Sequence, residues 1–122
     1  MRLTGTMLVL GAVGAAAQGR NDAAVELPRL REPAREALRV SCGRCHDRTR
    51  STARPAALRI FDLDERDWSA RVTDVQMDHM VERFEGFHMP EADRVTVRRF
   101  LDAERARRAA LGPRPTDDGP VP

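Results

Sequence analysis

The stretch Cys42-Gly43-Arg44-Cys45-His46 contains both cysteines of the chain and one of its three histidines. The residues before it predict a short helix that begins at Pro33, because proline is well suited to the first turn of a helix. Apolar side chains at positions 34, 37 and 38 would lie on one face of that helix. The helix leads directly into the stretch, so both thiols are expected on one turn with the imidazole beside them.

The pattern Cys-x-x-Cys-His is the attachment sequence of a c-type haem. Cys42 and Cys45 would each form a thioether to a porphyrin vinyl group, and His46 would then lie under the ring with its imidazole on the iron. The sequence therefore predicts one covalently bound haem c.

Three other uses of the two cysteines are open, and each lacks part of its usual context. A thioredoxin-like redox pair is found beside β-strands, and the chain has no convincing run of β-branched residues. A structural zinc site usually needs four ligands. A plain disulfide is the ordinary alternative in an exported protein. Haem is favoured over all three because the motif, an N-terminal export signal and a helical pattern agree.

A second iron ligand is expected from Met89, which precedes Pro90 in a short loop between two amphipathic helices. Methionine opposite histidine raises the potential of a cytochrome, and the following proline restrains the methionine backbone. His88 is the rival ligand and would give a bis-histidine iron of lower potential. Met77 and Met80 fall on the apolar face of a helix, where methionine is usually core.

The remaining elements are also helical. Thr73 and Gln76 form a capping-box pattern, which predicts a helix to about residue 85 that Gly86 would end. A last helix follows Pro90 and presents apolar residues at 97, 100 and 101 with Glu104. Residues 47–57 are expected to form a loop. The predicted fold class is all-α, a domain of three to four helices over residues 33–111.

Residues 1–17 are expected to be a signal peptide, with an apolar run from Leu3 to Val13 and small residues at 15–17. The run is shorter than a membrane span, so we expect export to a bacterial periplasm and no stable membrane insertion after cleavage. Residues 18–32 are expected to be a flexible tether and 112–122 a disordered proline-rich tail. The net charge of +2 comes from arginines interspersed with acids, which gives little support for nucleic-acid binding.

Together, the motif, the Met89-Pro90 loop and the last helix resemble small monohaem cytochromes c of the bacterial class I kind, over roughly residues 33 to 110. The resemblance implies that the helix before the motif packs on the C-terminal helix. It also implies that Cys42 and Cys45 are thioether sites, with His46 the proximal and Met89 the distal ligand. By position, Pro55 matches the family's proline whose carbonyl orients the proximal imidazole.

An iron with both axial positions filled by protein has no open site for a substrate, so we expect an electron carrier and not an enzyme. Its partners would be redox proteins that donate and accept single electrons. Two alternatives are a haem-based sensor or peroxidase-like protein with a displaceable distal ligand, and a haem subunit of a larger oxidoreductase. The single tryptophan, Trp68, is expected either to pack near the haem or to be an ordinary core residue.

Overall fold

The computed structural model describes residues 14–112, with side chains from residue 22 onward. Four helices make up this part of the chain: α1 (Gly14–His46), α2 (Pro55–Ile60), α3 (Asp74–Gly86) and α4 (Glu91–Leu111). No strand occurs between residues 14 and 112, which confirms the predicted all-α class. Most of the predicted signal peptide (residues 1–13) and nearly all of the predicted disordered tail (113–122) lie outside the described residues.

Helix α1 differs from the prediction because it begins at Gly14 and not at Pro33. Residues 18–32, expected to be a flexible tether, are helical, and α1 runs for 33 residues, a length of about 50 Å. Pro28 and Pro33 both lie inside it. A proline in a helix interior removes a backbone hydrogen bond and costs about 3 kcal/mol.

Tertiary packing on both sides of the two prolines offsets that cost. Ala23 and Leu27 are buried before the two prolines, and Ala34 and Leu38 are fully buried after them. These four side chains recur at helical spacing, so one face of α1 is in contact with the core along most of its described length.

The largest contact between helices joins α1 to α4. Val97, Phe100 and Leu101 are buried on the predicted face of α4, in the same core as Leu38 of α1. Each is less than 2% exposed, and burying side chains of this size supplies about 1.5–3 kcal/mol apiece. The packing of the first helix on the last, expected from the resemblance, is present.

Helix α3 begins and ends as predicted. The Thr73 hydroxyl accepts a hydrogen bond from the Gln76 amide (3.2 Å), and the Gln76 side chain accepts one from the Thr73 amide (2.9 Å). Its last residue is Gly86, and Met77, Met80 and Phe84 are buried. Among the four helices, α3 brings its backbone close only to α4.

Residues 47–54 form turns, and the short helix α2 then begins at Pro55 in what was expected to be loop. Proline in a first turn loses no helical hydrogen bond, which is why it starts a helix here. The chain next passes beneath the end of α1, where Phe61 and Leu63 are buried. None of the helices within residues 14–112 combines the length and the apolar character that a membrane span requires.

Candidate functional site

A cavity of about 450 Å³ opens between the last turns of α1, helix α3 and the loop before α4. Its volume falls within the range of roughly 300–1,000 Å³ found for small-molecule and cofactor sites. Four of its lining residues are the predicted site residues Cys42, Cys45, His46 and Met89. Side chains that are far apart in the sequence therefore meet at one cavity.

The His46 imidazole is held by the segment that passes beneath α1. Its Nδ1 lies 3.1 Å from the Phe61 carbonyl oxygen, and its ring stacks on the Phe61 ring with centroids 3.7 Å apart. A carbonyl can only accept, so this contact favours the tautomer with the proton on Nδ1, in which Nε2 would carry the lone pair that can bind a metal. Burial lowers the pKa of His46, although hydrogen bonding to the Phe61 carbonyl opposes that shift.

The carbonyl that orients His46 is therefore that of Phe61. The suggested role of Pro55 is wrong, because Pro55 instead opens α2 and the chain needs six more residues to return to the imidazole. Sequence position alone could not distinguish these two carbonyls.

Cys42 and Cys45 are both free and partly buried. Burial raises the pKa of the Cys42 thiol, and the nearby Arg83 guanidinium only partly opposes this shift. Reactive thiols of redox proteins generally have a lowered pKa, because the thiolate is the nucleophile. The environment of Cys42 therefore does not favour a dithiol that reacts as a free thiolate.

Met89 and His88, adjacent in the loop between α3 and α4, differ in their exposure to solvent. The Met89 side chain is 3% exposed and lines the cavity, whereas His88 is exposed and does not line it. His88 has a φ of 51°, in the left-handed region. This residue reverses the chain after α3, and the Met89 amide then donates to the Phe84 carbonyl (3.4 Å).

Sequence reasoning missed the contribution of α3 to the cavity. The helix lines it with Gln76, His79, Met80, Arg83 and Phe84, and Phe87 follows at its end. Spacings of three and four residues place these side chains on one stripe, a signal the sequence contains. Met80 was expected to be core and is buried, yet it also lines the cavity, whereas Met77 is core only. His79 is exposed and lies at the edge of the same stripe.

The cavity rim combines apolar and cationic side chains. Val40 and Phe87 line it although they are 76% and 55% exposed. Arg44 and Arg83 also line it, and within residues 22–112 neither takes part in a salt bridge between side chains. The mouth of the cavity is therefore apolar with a positive border.

Trp68 lies one ring away from the cavity and does not line it. It is 1% exposed and contacts Phe61 edge-on at 6.0 Å and Phe100 at 5.0 Å between ring centroids. Its indole Nε1 is buried and has no hydrogen-bond partner among the described residues. Trp68 is thus a core residue that contacts the cavity wall through Phe61.

These residues match the requirements of a covalently bound haem. A porphyrin supplies four in-plane nitrogens to its iron, so the protein needs to add only axial ligands, such as one imidazole and one thioether. In the described part of the chain, no three His, Cys, Asp or Glu side chains are grouped so that they could hold a metal ion by themselves. Comparison of the chain with protein-family models, curated proteins and solved structures found no match.

Proposed function

We propose that this chain is an exported electron carrier that holds one haem c. The observation that carries the proposal is the meeting of Cys42, Cys45, His46 and Met89 at one cavity of cofactor size. The covalent motif alone predicts attachment. The buried Met89 adds a soft ligand for the second axial position.

Each residue has a separate task in this proposal. Cys42 and Cys45, both free and partly buried at the cavity wall, would form the two thioethers. His46 presents Nε2 because Nδ1 is engaged by the Phe61 carbonyl. Met89 lies in the wall of the cavity and would supply its thioether sulfur as the second protein ligand of the iron. When bound, the haem supplies one-electron oxidation and reduction.

Electron transfer without substrate turnover follows from the two axial residues. If the chain fills both positions, no place is left for a substrate on the metal, and exchange with redox partner proteins takes place at the solvent-exposed edge of the cavity. The apolar, positively bordered rim of Val40, Phe87, Arg44 and Arg83 forms that edge. Export to the periplasm belongs to the proposal through residues 1–17, because a c-type haem is attached outside the cytoplasm.

Expression of the full chain with a bacterial c-type haem maturation system tests the proposal. Intact-mass analysis should show the processed chain plus one haem that survives denaturation, and a pyridine haemochrome spectrum should show a haem with two thioethers. Cys42→Ala and Cys45→Ala should each lose one thioether, whereas His79→Ala, at the cavity edge, should keep both.

Two results would replace the proposal with another function. A mass equal to that of the chain with an internal disulfide would show that the cysteines only pair with each other. A haem that binds carbon monoxide in the wild-type protein without displacement of sulfur would indicate an open distal position, as in a sensor or a peroxidase-like protein.

A further inference from the structure

Asp62 is a buried carboxylate that directly follows Phe61, the residue whose carbonyl contacts Nδ1 of His46. Its side chain is fully buried, at 0% exposed. A buried charge is costly unless hydrogen bonds and an opposite charge compensate it. The compensation found here links Asp62 to the same turn of chain that carries His46.

Three donors converge on the Asp62 carboxylate. Oδ1 accepts from the Asp64 amide at 3.0 Å and from the Arg48 amide at 3.4 Å, and Oδ2 accepts from Nε of the Arg48 guanidinium. Burial raises the pKa of Asp62, but these hydrogen bonds outweigh it and leave the pKa below its ordinary value. The carboxylate is therefore ionised at neutral pH and bound to a residue two positions after His46.

The segment around Asp62 is joined to His46 itself by two further bonds. The Phe61 carbonyl faces Nδ1 of His46 at 3.1 Å, and the Leu63 amide donates to the His46 carbonyl at 2.7 Å. The Phe61 carbonyl belongs to the planar peptide unit that ends at the Cα of Asp62. Fixing the Asp62 side chain therefore fixes the direction of that carbonyl.

We infer that Asp62 is a positioning residue for His46, acting through the Phe61 carbonyl. Arg48 and Asp62 hold residues 61–63 against the end of α1, so that the Phe61 carbonyl stays in place as the acceptor for Nδ1. Outer hydrogen bonds of this kind set the tautomer of a metal-binding histidine and raise its basicity. This inference rests on the proposed function for its effect on iron, but its effect on the imidazole does not require haem.

A more basic imidazole favours ferric over ferrous iron because it is the better donor to the higher charge. Loss of the Asp62 carboxylate should weaken the bond from Nδ1–H and raise the reduction potential. Outer-shell substitutions commonly change metal affinity by about 10- to 100-fold. A change of about tenfold in the ratio of ferric to ferrous stability equals about 59 mV for a one-electron couple.

The test compares Asp62→Asn and Asp62→Ala in the full haem-bound chain with Glu104→Gln. Glu104 is a matched control, because it is 1% exposed and also pairs with arginines, and its hydrogen bonds and salt bridges are with Arg107 and Arg108 and not with residues 61–63. The asparagine variant keeps an acceptor for the two amides and loses the charge. We expect the potential to rise from wild type to Asp62→Asn to Asp62→Ala, while Glu104→Gln lowers the melting temperature and leaves the potential unchanged.

The rate at which the His46 Nδ1 proton exchanges with solvent, measured by NMR in the reduced protein, is a second test. This exchange should become faster in Asp62→Ala, because the Nδ1 proton loses a fixed acceptor, and remain as slow as in wild type in Glu104→Gln. Equal potentials and equal exchange rates in all four proteins would overturn the inference, even if the Asp62 variants were less stable. If Asp62→Ala does not accumulate, Asp62→Asn alone decides the result.

The two proposals fail in different ways. If no haem attaches to the wild-type chain, the proposed function is wrong, and the imidazole nitrogen shifts of the haem-free full chain still report the His46 tautomer. If haem attaches and the Asp62 variants leave both potential and exchange unchanged, the proposed function stands and the positioning role is wrong.

Discussion

Replacement of Met89 by alanine separates its role as a ligand from its role in packing. The side chain is 3% exposed, and truncation of a methionine buried to this extent costs about 2–5 kcal/mol of unfolding free energy. Thioether sulfur favours ferrous iron, so its loss should also lower the reduction potential and open the iron to imidazole or carbon monoxide. Under the proposed function, haem attachment should survive, because Cys42 and Cys45 both belong to α1.

Met77 and Met80 are matched controls on α3. Met77→Ala removes a side chain that is 0% exposed and does not line the cavity, so it should cost a similar free energy with the sulfur-to-iron absorption band intact. Met80→Ala removes a second thioether from the cavity wall and should also keep the band. Denaturant unfolding, the absorption spectrum and ligand titration are measured on all three variants.

The variant that loses the sulfur-to-iron band identifies the methionine that binds the iron. If Met80→Ala loses the band and Met89→Ala keeps it, Met80 is the axial residue and the assignment of Met89 is wrong. If all three variants lose stability alone and the band was never present in wild type, the second axial position is not filled by methionine.

Three further predictions concern residues away from the iron ligands. His88→Gly should keep the sulfur-to-iron band and the stability of α4. His88→Val should be about 1–2 kcal/mol less stable than the glycine variant in thermal unfolding, because the backbone at this position has a positive φ. Loss of the band in His88→Gly would identify His88 as the ligand. Hydrogen bonds outweigh burial and lower the folded-state pKa of both Asp62 and Glu104. Each carboxylate therefore stabilises the fold above its unfolded-state pKa, and this contribution is lost as pH falls through the lower folded-state pKa. The unfolding free energy measured in urea between neutral and acid pH should depend less on pH for Glu104→Gln than for wild type, and an equal dependence would contradict the prediction. Trp68 fluorescence should be strongly quenched in the haem-bound protein and recover on denaturation, whereas bright native emission would contradict a haem in the cavity beyond Phe61.

The parts of the fold that sequence predicts well are those fixed by local chemistry. The capping box at Thr73 and Gln76 depends on two side chains three residues apart, and it defines the start of α3. The apolar face of α4 depends on a repeat that is visible within one helix. The meeting of Cys42 and Met89 at one cavity is a non-local event, which the resemblance anticipated and which no local pattern contains.

The start of α1 was missed because proline was given too much weight. Pro28 and Pro33 each oppose a helix locally, but Leu27 directly before Pro28 and Ala34 directly after Pro33 are buried in the core. Tertiary packing of this kind outweighs local propensity and cannot be measured from one segment. The role of Asp62 was missed for the same reason, because its partner Arg48 lies 14 residues earlier and both belong to segments without a periodic pattern.

The limited contact of α3 with its neighbours affects the order in which the molecule opens. Within the described chain, α3 approaches the backbone of α4 alone, and two of its buried side chains, Met80 and Phe84, face the cavity. A group that fills the cavity would therefore complete the core of α3, which among the four helices has only α4 as a close neighbour. Local opening draws on such low-stability units, so α3 and the Met89 loop should exchange their amide protons before α1 and α4. Under the proposed function, the methionine side of the cavity would be the part of the molecule that opens to admit haem while the α1–α4 pair stays folded.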